Sequence, residues 1–131
     1  MSVKIIIADD HAVVREGVRR ILETRPDWEI CAEAENGLEA VRLAEELNPD
    51  VVIMDVSMPA MNGIEATREI VRRKANIAVL IFTMHESAHV TATANNVGAR
   101  GLVSKSDATQ DLVRALESVL SGGTFFHTQR Q

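Results

Sequence analysis

Five times along this chain, a short apolar run is followed by a stretch with helical spacing, and few folds accept that order. The runs are Val3 to Ala8, Glu29 to Ala34, Val51 to Met54, Ile77 to Phe82 and Gly101 to Val103. Repeated strand–helix pairs require right-handed crossovers, and hence a parallel sheet with helices on both faces. The run at Ile77 is apolar throughout, as a central strand should be. The run at Glu29 carries acidic residues and alternates Ile30, Ala32 and Ala34 with Cys31 and Glu33, which suits an edge. An α/β doubly wound five-stranded parallel sheet with five helices and strand order 2-1-3-4-5 satisfies these constraints.

The intervening stretches carry their own boundaries. The first predicted helix places Val14, Val18, Ile21 and Leu22 on one face and stops before Pro26. The second starts near Gly37, buries Leu38, Val41 and Ala44, reaches Leu47, and ends at Asn48-Pro49. The third is capped by Asn62 with Glu65 three residues on, and buries Ile64, Ile70 and Val71. The fourth, about Ser87 to Val97, is weak: Val90, Thr91, Thr93, Asn95 and Asn96 are poor helix formers, and Gly98 can end it. The fifth is capped by Asp107 with Gln110 following, buries Leu112, Val113, Leu116, Val119 and Leu120, and stops at Gly122-Gly123. Residues Thr124 to Gln131 have no usable pattern.

Composition narrows the function. The 131 residues are enough for one domain with a real core, and the apolar (46%) and charged (25%) fractions are those of a globular protein. A net charge of −5 without a dense basic run argues against direct nucleic-acid binding. The single cysteine, Cys31, excludes an intrachain disulfide and reads as a small buried hydrophobe. No apolar run is long enough to cross a bilayer, and Met-Ser-Val-Lys leads into a strand without a signal-peptide pattern, so no membrane association and a cytoplasmic location are expected.

Three carboxylates carry the chemistry. Asp9 and Asp10 end the first run and Asp55 ends the third, which that strand order places side by side at the switch point of the sheet. Acids brought together repel, and either a hard cation lies between them or some take up a proton. Thr83 and Lys105 follow the fourth and fifth strands on the same rim. An Asp after a strand is commonly a helix cap and a Lys there is commonly solvated. The combination of five is far more specific than any member.

These residues lie in the stretches IIIADDH (5–11), VVIMDVSMPAMNGIEA (51–66), VLIFTMHE (79–86) and GARGLVSKS (98–106). Over about residues 3–122 the chain resembles the response-regulator receiver domains of two-component signalling. ADDHAVVREG and the TMH after the fourth strand are most similar to the LuxR-type (NarL/FixJ) subfamily. The resemblance implies a flavodoxin-like fold, with residues 1–123 as the receiver and 124–131 as a tail or the start of a linker to a helix-turn-helix output domain. It implies Asp55 as phosphoacceptor, and Mg²⁺ held by Asp10 directly, Asp9 through water, Asp55, and the backbone carbonyl of Ser57. Thr83 and Lys105 would each engage a phosphoryl oxygen. Implied partners are a sensor histidine kinase, a second copy of the chain on activation, and DNA only through the output domain. The chemistry would be self-phosphorylation and dephosphorylation rather than turnover of a free substrate. A stand-alone receiver acting by protein–protein contact is the alternative.

Two positions depart from the family pattern. Leu102 occupies the usual aromatic position three residues before the Lys, which bears on aromatic-gated switching. Ser106 replaces the Pro that often follows the Lys; a cis bond without Pro costs about 3 kcal/mol, so a trans bond and a differently shaped loop are expected. Ser57 and His85 either flank the water that hydrolyses the acyl phosphate or are solvated loop residues. The weak fourth helix, with the fifth strand and helix, is expected to move on phosphorylation and offer a partner or dimer surface.

Other readings fit less well. A cofactor-binding flavodoxin needs a phosphate-receiving first loop, where Ala8-Asp9-Asp10 would repel a phosphate. A Mg²⁺ phosphohydrolase has a second Asp where Ser57 stands, and no P-loop is present. The intact polar set argues against a non-catalytic interaction module. His11 is read as a helix-start residue, His89 and His127 as solvent-facing, Met54, Met58, Met61 and Met84 as packing, and Trp28 as a cover for the start of the second strand.

Overall fold

A computed structural model describes residues 2–126 of the chain. His127 therefore lies outside the described residues. The strands are β1 (Val3–Ala8), β2 (Trp28–Ala34), β3 (Val51–Met54), β4 (Ala78–Thr83) and β5 (Gly101–Ser104). Between and after them come α1 (Ala12–Leu22), α2 (Gly37–Leu47), α3 (Gly63–Arg73), α4 (Ala88–Asn96) and α5 (Ala108–Leu120). All pairings are parallel and the order is β2-β1-β3-β4-β5. The first crossover returns β2 to one side of β1 and the second sends β3 to the other. The strand ends of β1 and β3 thus face the reversal point of the sheet.

Alternation along the strands builds two cores. Ile6, Ala8, Val52, Met54, Val79, Ile81 and Leu102 point toward α2, α3 and α4, and meet Ala40, Ala44, Ala66, Ile70 and Ala94. Ile5, Ile7, Val51, Ile53, Leu80, Phe82 and Val103 point toward α1 and α5, and meet Val18, Leu22, Leu112 and Leu116. β4 is buried along its whole length and β2 is only half-buried, as a central and an edge strand should be.

Several local expectations are corrected. The regular alternation in β2 breaks where Ile5 pairs with Ile30 and Ile6 with Ala32, leaving Cys31 as the extra residue of a bulge. Ile30 consequently packs on the α1/α5 side, while Cys31 and Ala32 both pack on the other. Burial pushes the Cys31 thiol pKa up, in keeping with a packing role. Leu38 (55% exposed) and Leu47 (37%) are not buried; Ala40 joins Val41 and Ala44 at the α2 contact. The small side chains of Ala40 and Ala44 are fully buried in the core on that face of the sheet. Ile64, Val71, Val113 and Leu120 are half-buried flanks, and Ala66, Thr67 and Ala115 take the inner positions. Met84 is 66% exposed rather than packed.

Helix ends follow local chemistry. Asn36, Asn62 and Ser87 each accept a hydrogen bond from the backbone N–H three residues on. Asp107, by contrast, makes no side-chain cap. Residues Lys105–Asp107 form a 3₁₀ turn, and Ser104 caps that turn by accepting from the Ser106 N–H. No cis bond occurs among the described residues, so the Lys105–Ser106 bond is trans as expected. Trp28 opens β2 and packs half-buried against the α1/α5 core, with the Arg25 guanidinium 4.3 Å from its ring centroid.

Phe125 and Phe126 have an order that the sequence pattern did not disclose. Phe125 bridges to Gly101, its N–H donating to the Arg100 carbonyl and its carbonyl accepting from Leu102 N–H, each at 2.9 Å. Phe125 packs on one core and Phe126 on the other, so the segment straddles the β5 edge. A Cβ on residue 101 would lie 2.9 Å from the Phe125 carbonyl oxygen, so glycine permits this approach.

Candidate functional site: an acidic rim pocket closed by a lysine

Each polar residue singled out at a strand end lies on one rim. Asp9 and Asp55 are buried, and they follow β1 and β3, whose last residues Ala8 and Met54 are register partners. Lys105 reaches in from the end of β5, its Nζ 2.7 Å from Asp9 Oδ2 and 3.2 Å from Asp55 Oδ1. Thr83 ends β4 and is buried, its Oγ1 accepting from the His85 N–H at 3.2 Å. Asp10 is the exposed member, at the mouth of the cluster.

The charges do not balance. Three carboxylates share one lysine, and burial followed by the nearby Asp9 charge raises the Asp55 pKa, with Lys105 and the Ser57 N–H opposing that rise. Asp9 Oδ2 is buried and accepts no well-directed hydrogen bond; Lys105 is close to it in distance but not along a hydrogen-bonding direction. One oxygen or nitrogen from each of Asp9, Asp10, His11 and Asp55 lies within 4.8 Å of the others. Hard oxygen donors, surplus negative charge and a buried oxygen lacking a directed donor form a cluster that could hold a divalent cation.

The loop after β3 is shaped by one close approach. A Cβ on residue 63 would lie 1.9 Å from the Asp55 carbonyl oxygen, so glycine is required for α3 to begin against that backbone. The Gly63 N–H donates to the Val56 carbonyl at 2.8 Å, closing the loop that carries Ser57 and Pro59. The Ser57 backbone N–H favours the charged form of the Asp55 carboxylate, while Ser57 itself and His85 are exposed.

The β1–α1 loop holds two residues that sequence reasoning set aside or missed. His11 does start α1, but its Nδ1 also lies 3.2 Å from Asp9 Oδ1 and 3.1 Å from Asp10 Oδ1, so it belongs to the cluster. Arg15 donates to the Asp9 carbonyl at 2.7 Å and to Glu33 Oε1 at 2.7 Å. The available signal was spacing: Arg15 is one turn past His11, and Glu33 lies near the end of the neighbouring strand. His89 is exposed as expected.

Comparison with known proteins agrees with this fold. Residues 5–117 match the response regulator receiver domain family, and the chain belongs to that family. It is 39% identical over 126 residues to the transcriptional regulatory protein DegU of Brevibacillus brevis, covering 96% of this chain and 53% of that one. Over 120 residues it is 40% identical to the response regulator UvrY of Escherichia coli K12, covering 92% and 55%. A LuxR-family two-component response regulator from Aurantimonas sp. SI85-9A1 superposes with a TM-score of 0.91 at 42% identity, over 95% of this chain and 89% of that one. The receiver domain of RcsB from Salmonella enterica, solved with phosphomimetic BeF3⁻, gives 0.89 at 27% identity, over 98% and 95%. The chain is a LuxR/NarL-type receiver, and it spans about half the length of the curated relatives it matches.

Proposed function

We propose that this receiver takes a phosphoryl group onto Asp55 from a phosphohistidine of a sensor kinase, in a Mg²⁺-dependent step. The observation that carries the reading is the buried Asp9–Lys105–Asp55 arrangement beside the exposed Asp10. An Asp55 carboxylate oxygen attacks phosphorus, the P–N bond breaks, and the imidazole leaves with the electron pair. Asp9, Asp10 and Asp55, with the Ser57 carbonyl, would hold Mg²⁺, which when bound offsets the repulsion between an anionic nucleophile and the phosphoryl oxygens. Lys105 is already within reach of Asp55 and would pair with a phosphoryl oxygen. The Thr83 hydroxyl would donate to another. Water attack on the acyl phosphate, between exposed Ser57 and His85, resets the switch.

Output would follow from the weakly held segment beside Thr83. α4 has one buried side chain, Ala94, and the residues from Met84 to His89 are exposed. A pull on Thr83 could therefore shift α4 at little cost and alter the surface it forms with β5 and α5, for a second copy or another domain. DegU is named as a transcriptional regulatory protein, so DNA control through a further domain is the favoured outcome.

Incubation with acetyl phosphate and Mg²⁺, followed by intact mass, tests the chemistry. One added phosphoryl group is expected on the wild type and none on Asp55→Asn. Equal labelling of both proteins would move the acceptor elsewhere.

A further inference from the structure

We propose that Arg15 is a positioning residue for the metal loop, fixing the Asp9–Asp10 peptide so that the Asp10 carboxylate is presented to a divalent cation. The inference rests on the Mg²⁺ reading above and assigns a task to the second half of the ADDHAVVREG stretch. The backbone of Asp9 is tied at both ends: its N–H donates to the Ala34 carbonyl at 3.0 Å, and its carbonyl accepts from Arg15 Nη1 at 2.7 Å. That carbonyl belongs to the peptide unit leading into Asp10. Its orientation sets where the Cα of Asp10 sits and where the side chain can point.

Arg15 is itself held. Its side chain is 12% exposed, and its Nε donates to Glu33 on β2. The other oxygen of Glu33 accepts from Arg19 Nη2 at 2.5 Å and Nε at 3.2 Å. Glu33 is thus clamped by two guanidinium groups, and their hydrogen bonds lower its pKa, that of Arg19 first. A planar fork can grip the carbonyl and the carboxylate at once, which a lysine could not do in the same geometry. Groups that orient metal ligands commonly change metal affinity by 10–100-fold when removed.

The same contacts could merely staple α1 to β2, and that role would lower stability without touching the metal. Mg²⁺ affinity by isothermal titration, together with melting temperature in EDTA, separates the two for Arg15→Met and Glu33→Gln. Arg15→Met should weaken Mg²⁺ binding about 10-fold and Glu33→Gln by a smaller factor of about 3, both beyond any change expected from altered stability alone. Folded variants that bind Mg²⁺ within twofold of wild type would overturn the assignment. Should Arg15→Met not fold, Glu33→Gln decides alone. A wild-type protein that takes up a phosphoryl group yet loses no Mg²⁺ affinity in either variant refutes this inference only; a wild type that binds no Mg²⁺ refutes the underlying reading as well.

Discussion

The two halves of the rim are built differently. On the β1–β3 side, each polar atom of Asp9 has a partner within reach: Ala34, Arg15, His11 and Lys105. The Asp55 loop is pressed against Gly63. On the β4–α4 side, Thr83 receives one hydrogen bond from its own loop, Met84 to His89 stand in solvent, and α4 rests on Ala94. Electrostatics explains the contrast. Clustered acids bind a cation well only if their positions are fixed beforehand, whereas a segment that reports on a new charge must have a second arrangement within a few kcal/mol.

Substitutions at the backbone should show the contrast most strongly. Gly63→Ala drives a Cβ into the Asp55 carbonyl and should destabilise the protein by about 3 kcal/mol or more in urea denaturation. Met84→Ala, in the exposed loop of the other half, should cost no more than about 0.5 kcal/mol. Similar losses at both positions would erase the distinction.

Asp55→Asn should act in the opposite direction when divalent ions are removed. It relieves a buried like-charge contact, and its burial raises the carboxyl pKa, so the neutral amide should stabilise the EDTA-treated protein by about 1–2 kcal/mol. The gain should shrink as Mg²⁺ is added, because the wild type gains more from the ion. A variant less stable than wild type in EDTA would mean that Lys105 more than offsets the repulsion.

A smaller effect than that of Asp55→Asn concerns Glu33. Its pKa is lowered in the folded state by Arg19 and Arg15, so its contribution is present above the ordinary carboxylate pKa of 4.5 and is lost as pH falls through the lower folded value. Glu33→Gln should therefore be less stable than wild type near neutrality by under about 1 kcal/mol, the partial exposure of the pair limiting the effect. The difference should close in acid. A constant gap from neutral to acidic pH would point to lost packing instead.

The sheet order and the rim pair Asp9/Asp55 were legible because strand burial and strand ends are set by local pattern. Val51 to Met54 is short and apolar with an acid at its end, and only its placement beside β1 gives that acid a meaning. What escaped reading depends on contacts far apart in the chain. The bulge at Cys31 changes which face Ile30 takes, and no alternation rule marks where a bulge falls. Leu38 satisfies the helical spacing as well as Ala40 does, but the fold buries Ala40 and leaves Leu38 exposed. Arg15 and Phe125 find their partners on β2 and β5, across the fold. Asp107 has the residue type of a cap, yet it closes a 3₁₀ turn capped by Ser104 and makes no side-chain bond to α5.

Peptide-resolved hydrogen exchange, with Mg²⁺ alone and then with Mg²⁺ and beryllofluoride, tests the division most directly. The fixed half predicts slow exchange at residues 5–11 and 51–55 in both states, with the change on adding the phosphoryl mimic concentrated between Thr83 and Asn96. Protection in α4 that matches α5 and does not respond to the mimic, or a response confined to the β1–α1 loop, would contradict the account.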